Sequence, residues 1–294
     1  MSHVVALVSG FGWHVQDLQR ASDGLGIDLS AIPFSELTGR VGGGFTSVVG
    51  REIPLSKVDG ILVRMMPAGS LEQVVFRMDA LHLLEAAGVP VMNPPRAVEA
   101  SVDKYLALAR IEAEGLLVPE TWVGEVAKAA LAAFEELGRD VVVKPLFGSE
   151  GRGLVRVTEF EVARRVFQAL ERIGAVLYLQ RYIPNPGHDL RAFVLGNRVL
   201  GAIRRHAPAG DWRTNVSVGG RAEAVRLDAE TESLALRAAG AVGARMAGVD
   251  LLPDRDGKLF VLEVNAVPGW RALSAATGVD VASEILADLR DARR

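Results

Sequence analysis

Three oxygen-bearing side chains near the end of the chain, Asp250, Glu263 and Asn265, are spaced like the ligands of a cation. Residues 249–252 and 259–264 read as short apolar strands on either side of Asp256 and Gly257, a pair suited to a two-residue hairpin turn. With those two residues in the loop, Arg255 pairs with Lys258 and, counting back, Asp250 faces Glu263. Residues two apart share a strand face, so Asn265 joins them while Leu262 and Val264 point the other way. Like charges placed opposite each other destabilise a ladder, and a divalent cation would remove that cost. Oxygen donors with one amide favour Mg2+ or Mn2+ over zinc. The plainer alternative is a solvated edge hairpin shifted by one residue; the apolar residues around the acids argue against it.

A second group could handle phosphate. The stretch Lys144-Pro145-Leu146-Phe147-Gly148-Ser149-Glu150-Gly151-Arg152-Gly153 lies between two strand-like runs. Its glycines allow successive N–H groups to face an anion, and Lys144 could add an ammonium. A plain hairpin connection explains such a loop equally well. It is neither a Walker A loop, since no Gly-Lys-Ser/Thr follows, nor the dinucleotide Gly-x-Gly-x-x-Gly pattern. Lys104 opens a helix, where the dipole favours anions, although it could equally be a surface lysine.

These groups need a scaffold. Residues 3–9, 61–64 and 89–92 read as strands, with a helix over 70–87, the alternation of a parallel α/β unit. The glycine-rich residues 39–50 read as a mobile loop or turn. Helices are expected over 101–114, 125–137 and 159–173, and strands over 121–124, 141–145, 154–158 and 176–183. Further on, strands over 189–194 and 199–204 flank Gly196-Asn197, a good hairpin turn that places His188 near His206, and a helix covers 229–247. The expected organisation is α/β with an α+β C-terminal part, divided into 1–97, 98–183 and 184–294.

Composition sets outer bounds. A chain of 294 residues can hold two or three cores, and its formal charge of −3 argues against a nucleic-acid partner. With no cysteine there is no disulfide, thiolate nucleophile or thiolate metal site, which suits a reducing compartment. No apolar run is long enough to cross a membrane and no secretory signal is visible, so a cytoplasmic protein without a membrane partner is expected. The five histidines are scattered without metal-ligand spacing.

Taken together, Lys104, the Lys144 loop, the acidic hairpin and its continuation Glu263-Val264-Asn265-Ala266-Val267-Pro268-Gly269 resemble an ATP-grasp enzyme. Asp189-Leu190-Arg191-Ala192-Phe193-Val194 and Asp211-Trp212-Arg213-Thr214-Asn215-Val216 make the chain similar to the RimK-type α-L-glutamate ligases over about residues 98–294. Arg64-Met65-Met66-Pro67-Ala68-Gly69-Ser70 and Val102-Asp103-Lys104-Tyr105 resemble one branch, the tetrahydromethanopterin:glutamate ligases and their bacterial relatives. The resemblance implies an ATP-grasp fold behind a Rossmann-like N-terminal domain. It implies ATP held by Lys104, Lys144 and the loop of Gly148, Ser149, Gly151 and Gly153. Gln180, Arg181, Tyr182 and Ile183 would line the adenine, mostly through backbone groups, and Asp189 would reach the ribose. Arg213 and Asn215 would lie near the phosphates, while Asp250, Glu263 and Asn265 would carry magnesium or manganese. Arg191, Arg205 and Arg213 are the catalytic candidates, with Arg271 a further one for a phosphoryl or carboxylate group; Trp212 and Trp270 could stack on an acceptor ring or merely wall a pocket. Arg181 departs from the acidic residue the family often carries there.

The implied reaction makes an acyl-phosphate from a carboxylate and ATP, then an amide. Its partners would be a small carboxylate acceptor such as tetrahydromethanopterin and L-glutamate as the amine; a homo-oligomer is left open. Two other readings stand beside it: the same chemistry on a protein C-terminus or amino-acid carrier, and a non-catalytic nucleotide-binding module.

Overall fold

The computed structural model describes residues 2–148, 153–214 and 220–292. The chain opens with β1 (Ser2–Val8), α1 (Trp13–Leu25) and β2 (Ile27–Pro33), the last two separated by Gly26 in a left-handed conformation. A small antiparallel sheet follows, made of β3 (Leu37–Gly42), β4 (Phe45–Gly50) and β5 (Ile53–Pro54). This corrects the loop expected over 39–50. Gly43 and Gly44 both have positive φ and form a two-residue turn, and the Thr- and Val-bearing arms pair from Leu37↔Gly50 to Gly42↔Phe45. β6 (Gly60–Val63), α2 (Leu71–Ala86), β7 (Val91–Met92) and α3 (Pro95–Val102) complete the N-terminal part. Its parallel sheet runs β2-β1-β6-β7, so the strand order reverses direction between β1 and β6.

The helix expected over 101–114 begins only at Lys104, as α4 (Lys104–Ala113), because residues 101 and 102 belong to the end of α3. Asp103 is extended, and its carboxylate accepts from the N–H groups of Tyr105 and Leu106, capping a new helix rather than continuing the old one. β8 (Thr121–Gly124), α5 (Ala127–Glu136), β9 (Val141–Lys144), β10 (Val155–Val157), α6 (Phe160–Arg172) and β11 (Leu177–Arg181) then form a four-stranded antiparallel sheet, β10-β9-β11-β8, under two helices. Phe134 and Phe167 meet edge to face in its core.

The largest sheet, β14-β13-β12-β15-β16, is built from β12 (His188–Leu195), β13 (Arg198–His206), β14 (Arg221–Val225), β15 (Met246–Pro253) and β16 (Leu259–Asn265). α7 (Ala229–Ala241) covers one face and ends six residues earlier than expected, because Gly243 adopts a left-handed conformation and Met246 already belongs to β15. α8 (Arg271–Thr277) and α9 (Val281–Asp291) return to the start of the chain. Ile285, Leu286 and Leu289 of α9 share a core with Val4, Ala6 and Leu62 of the first sheet and with Phe193 and Ile203 of the last. Gly60 is required there, since a Cβ would sit 2.7 Å from Leu289 Cγ. Among the described residues no helix is long and apolar enough to cross a membrane.

Candidate active site

The acidic hairpin sets the geometry of the site. Asp250 does face Glu263, but by a different route from the one the sequence suggested. The loop is 254–258, with Pro253 opposite Leu259, so the turn end of the ladder is shifted by one residue. A bulge beside Leu251 leaves Leu262 extra on β16 and restores the register above it. Leu262 therefore lines the same cleft as Glu263 instead of pointing away, while Val264 is buried behind it.

Asp250 is buried and held by two guanidiniums. Arg191 donates to it through Nε (2.6 Å) and Nη2 (2.9 Å), and Arg205 Nη2 lies 2.9 Å from Oδ2. Against the cost of burial, these arginines hold the Asp250 carboxyl below its usual range. Arg205 also grips Asp189 with two hydrogen bonds, and Asp189 accepts a third from Thr214 Oγ1 at 2.7 Å. The oxygens of Asp189, expected at the ribose, are thus already partnered by protein. Glu263 has no hydrogen-bond donor among the described residues. Burial and the Asp250 charge opposite both push its carboxyl upward. An acid of this kind, open to the cleft and facing a second carboxylate, fits a hard divalent cation that keeps waters and phosphate oxygens as its other ligands. Asn265 stands on the same strand opposite Gly248; its Oδ1 accepts from Val267 N–H.

The cleft beside this hairpin, counted with the solvent at its open mouth, spans about 910 Å³. The two lysines reach it from different elements. Lys104, at the first position of α4, donates to the carbonyls of Leu146 (3.1 Å) and Gly148 (2.8 Å), tying the helix to the glycine loop. Lys144, at the end of β9, donates to Gln180 Oε1 at 2.5 Å. Gln180 in turn donates to Thr121 Oγ1, so its side chain, not only its backbone, orients Lys144. Burial lowers both lysines, Lys144 to about 8.

Gln180, Arg181, Tyr182, Ile183, Asp189, Arg205, Arg213 and Gly148 line this cleft together with both lysines, Asp250 and Glu263. Arg213 is paired with Asp211 in its own loop. Arg191, Asn265 and Gly153 are not in the lining; Arg191 acts on it through Asp250. Ser149, Gly151 and Asn215 lie outside the described residues. The sequence reading missed the apolar walls, Val142, Leu154, Leu252 and the bulged Leu262. Trp212 lines the cleft edge-on to Tyr182, whereas Trp270 is fully buried against His14 and stacks on no acceptor here. Of the histidine pair, the rings of His188 and His206 lie 5.7 Å apart and His206 is bonded to Glu223.

With this geometry in place, known proteins decide the family. The signature of the RimK-like ATP-grasp domain matches residues 101–289. The chain belongs to the RimK-like ATP-grasp family. It is accordingly an ATP-dependent carboxylate–amine ligase. It is 37% identical over 267 residues to the tetrahydromethanopterin:alpha-L-glutamate ligase of Methanosarcina acetivorans, covering 82% of each chain. It is 34% identical over 224 residues to a probable alpha-L-glutamate ligase of Trichodesmium erythraeum, covering 76% of this chain and 75% of that one. Among solved structures, the ATP-grasp ligase PsnB complexed with a minimal precursor shares the fold, with a TM-score of 0.79 at 24% identity over 100% of this chain and 99% of that one. Within this RimK-like frame the unusual Arg181 is neutralised locally: its guanidinium lies 3.0 Å from Glu120, leaving the end of β11 without a net added charge.

Proposed function

We propose that this RimK-like ligase adds L-glutamate to a small carboxylate-bearing cofactor, tetrahydromethanopterin or a close analogue, releasing ADP. What carries the reading is one cleft lined by Lys104 and Lys144 together with Glu263 and the Asp250 that faces it. Support for glutamate and for the pterin comes from the names of the relatives, which span most of their own length in the match.

The acceptor carboxylate attacks the γ-phosphorus of ATP, and the γ-phosphoryl group passes to it with ADP leaving. The amine of glutamate then attacks the acyl carbon, loses a proton and expels phosphate to leave the amide. Neither step needs a side-chain nucleophile; both need positioning and charge neutralisation. Lys104 and Lys144 would hold the phosphates, with the glycine loop tied to Lys104 above them. Glu263, Asp250 and Asn265 would hold magnesium or manganese, which when bound supplies positive charge at the phosphate oxygens. Arg205 would stabilise charge at the transferring group while its pairs with Asp189 and Asp250 fix its aim. Leu252, Leu262 and Val142 would exclude water around the adenine end.

The test is incubation with ATP, Mg2+ and glutamate, with and without tetrahydromethanopterin, and weighing of the products. One added glutamyl residue on the pterin together with ADP supports the reading. ADP formed only with a different acceptor moves the substrate and keeps the chemistry; AMP as the product overturns it. The protein is read as acting in the cytoplasm.

A further inference from the structure

In open parallel sheets, ligands settle in the crevice where the strand order reverses, beyond the carboxyl ends of the strands. Here that crevice lies between β1 and β6. Arg64, the residue after β6, is only 4% exposed, and its guanidinium has no carboxylate partner among the described residues. Its Nη1 donates to Pro268 O at 2.9 Å, its carbon end stacks 4.5 Å from the Trp270 ring centre, and its Nε is buried with no partner. A desolvated cation left this way is costly unless an anion joins it. Arg205 and Arg191, in the five-stranded sheet, show the usual solution, each closed by carboxylates.

Three neighbours reinforce the pattern. α1 starts beside Arg64 with Gly12 as its cap residue; the Gly12 carbonyl accepts from Val15 and Gln16 N–H, and no cap side chain is there to accept from Trp13 or His14 N–H. His14 in that turn accepts a hydrogen bond from Trp270 N–H at 3.2 Å, so its ring is neutral and brings no counter-ion to Arg64. Arg271, exposed at the start of α8, has its guanidinium 5.7 Å from the Trp13 ring and no carboxylate partner among the described residues. The crevice also adjoins the reaction centre. A Cβ at Gly248 would lie 3.0 Å from Pro268 and 3.6 Å from Arg191 Nε, so the residue that Arg64 holds touches the strand carrying Asp250.

We infer that Arg64, with Arg271 and the open first turn of α1, forms an anchor for an unreacted carboxylate of the incoming amino acid, whose amine then points toward the acyl-phosphate. The inference rests on the amide-forming reading above. An acceptor carboxylate is consumed at the γ-phosphorus, but the carboxylates of a dicarboxylic amine substrate persist through the reaction and need standing cations. Those at the nucleotide end are already engaged.

The probe is glutarate, a dicarboxylate of the same length that lacks the amine and cannot be ligated. Calorimetry should show glutarate binding to the wild-type protein with Mg-ADP and not to Arg64→Met, which keeps an apolar stem over Trp270 but no charge. The KM for glutamate should rise about 30-fold in that variant with KM for ATP unchanged, the loss expected for one charge-assisted contact. Arg271→Met, an exposed change that leaves folding intact if Arg64→Met does not, should raise the same KM about 5-fold without moving the thermal midpoint. No glutarate binding to wild type, or an unchanged glutamate KM with only a lower melting temperature, overturns the anchor and leaves Arg64 a structural clamp. If wild type fails to use glutamate but binds glutarate in an Arg64-dependent way, the anchor stands and glutamate as the substrate falls.

Discussion

Arg191 meets Asp250 side by side, Nε on Oδ1 at 2.6 Å and Nη2 on Oδ2 at 2.9 Å. Arg205 adds a third nitrogen to the same carboxylate and two to Asp189. Two arginines and two aspartates thus neutralise one another inside the sheet, and Asp250 is held in place before any cation arrives. Glu263, across the ladder, is the acid without such support.

Arg205 is the keystone of that set at 3% exposure. Arg205→Met would leave the buried Asp189 carboxylate without a cation and Asp250 with Arg191 alone, so denaturant unfolding should show a loss of about 3–5 kcal/mol. Arg205→Lys should recover little of it, because one ammonium cannot reproduce the paired nitrogens on Asp189. Full stability in the lysine variant would show that charge alone suffices.

Glu263→Gln should separate stability from turnover. The Glu263 carboxyl is pushed up by burial and by Asp250, so its ionised form costs stability once the pH exceeds the ordinary carboxylate range and approaches the raised value. At pH 7 without divalent ions, the variant should melt higher by about 2–4 °C, for a relief on the order of 1 kcal/mol. Turnover should vanish, and Mg2+ should no longer tighten ADP. Undiminished ADP release would remove Glu263 from the metal set.

His14 predicts a pH signature. Burial, and then the Arg64 charge, lower its imidazole to about 4, from 6.5 in the unfolded chain. Between those values the unfolded chain takes up a proton that the folded ring refuses, so stability falls as the pH drops from about 6.5 to about 4. His14→Gln should flatten that stretch of the melting-temperature curve. An identical slope would assign the loss to other groups.

Asn93 joins the N-terminal part to the five-stranded sheet. Its Nδ2 donates to the carbonyls of Met246 and Ala266, both at 2.6 Å, and its Oδ1 accepts from Met246 N–H at 2.8 Å. Asn93→Ala would leave three buried backbone groups open, and chemical denaturation should register a loss of about 2–4 kcal/mol. A loss below 1 kcal/mol would mean that water replaces the amide.

Much of this was legible before the structure, for uneven reasons. The Gly196-Asn197 turn made β12 and β13 legible as partners with Leu195 opposite Arg198, but a bulge between Phe193 and Val194 then shifts the ladder by one residue and brings Asp189 opposite Arg205. The facing of Asp250 and Glu263 was reached although the turn was placed one residue out, since the bulge beside Leu251 shifted the ladder back. Periodicity carries no trace of an inserted strand residue, so Leu262 could not be assigned to the cleft. The glycines of β3 and β4 looked like a loop because residues without side chains give no alternation, although the paired positive-φ turn at Gly43-Gly44 was written in them. The arginine–aspartate set was hidden for another reason: Arg191, Arg205 and Asp250 come from three strands, and only sheet order makes them neighbours.

The bulge at Leu262 also makes β16 unequal in its tolerance of insertions and deletions. A residue added to or removed from the exposed loop 254–258 alters a turn that ends before the acids begin. Deleting Leu262 would leave every residue type of the site in the chain and remove the offset between its two halves. The ladder on the turn side would then have to slip by one position, or Glu263 would pair away from Asp250. Length in this strand is thus as much a part of the site as its carboxylates.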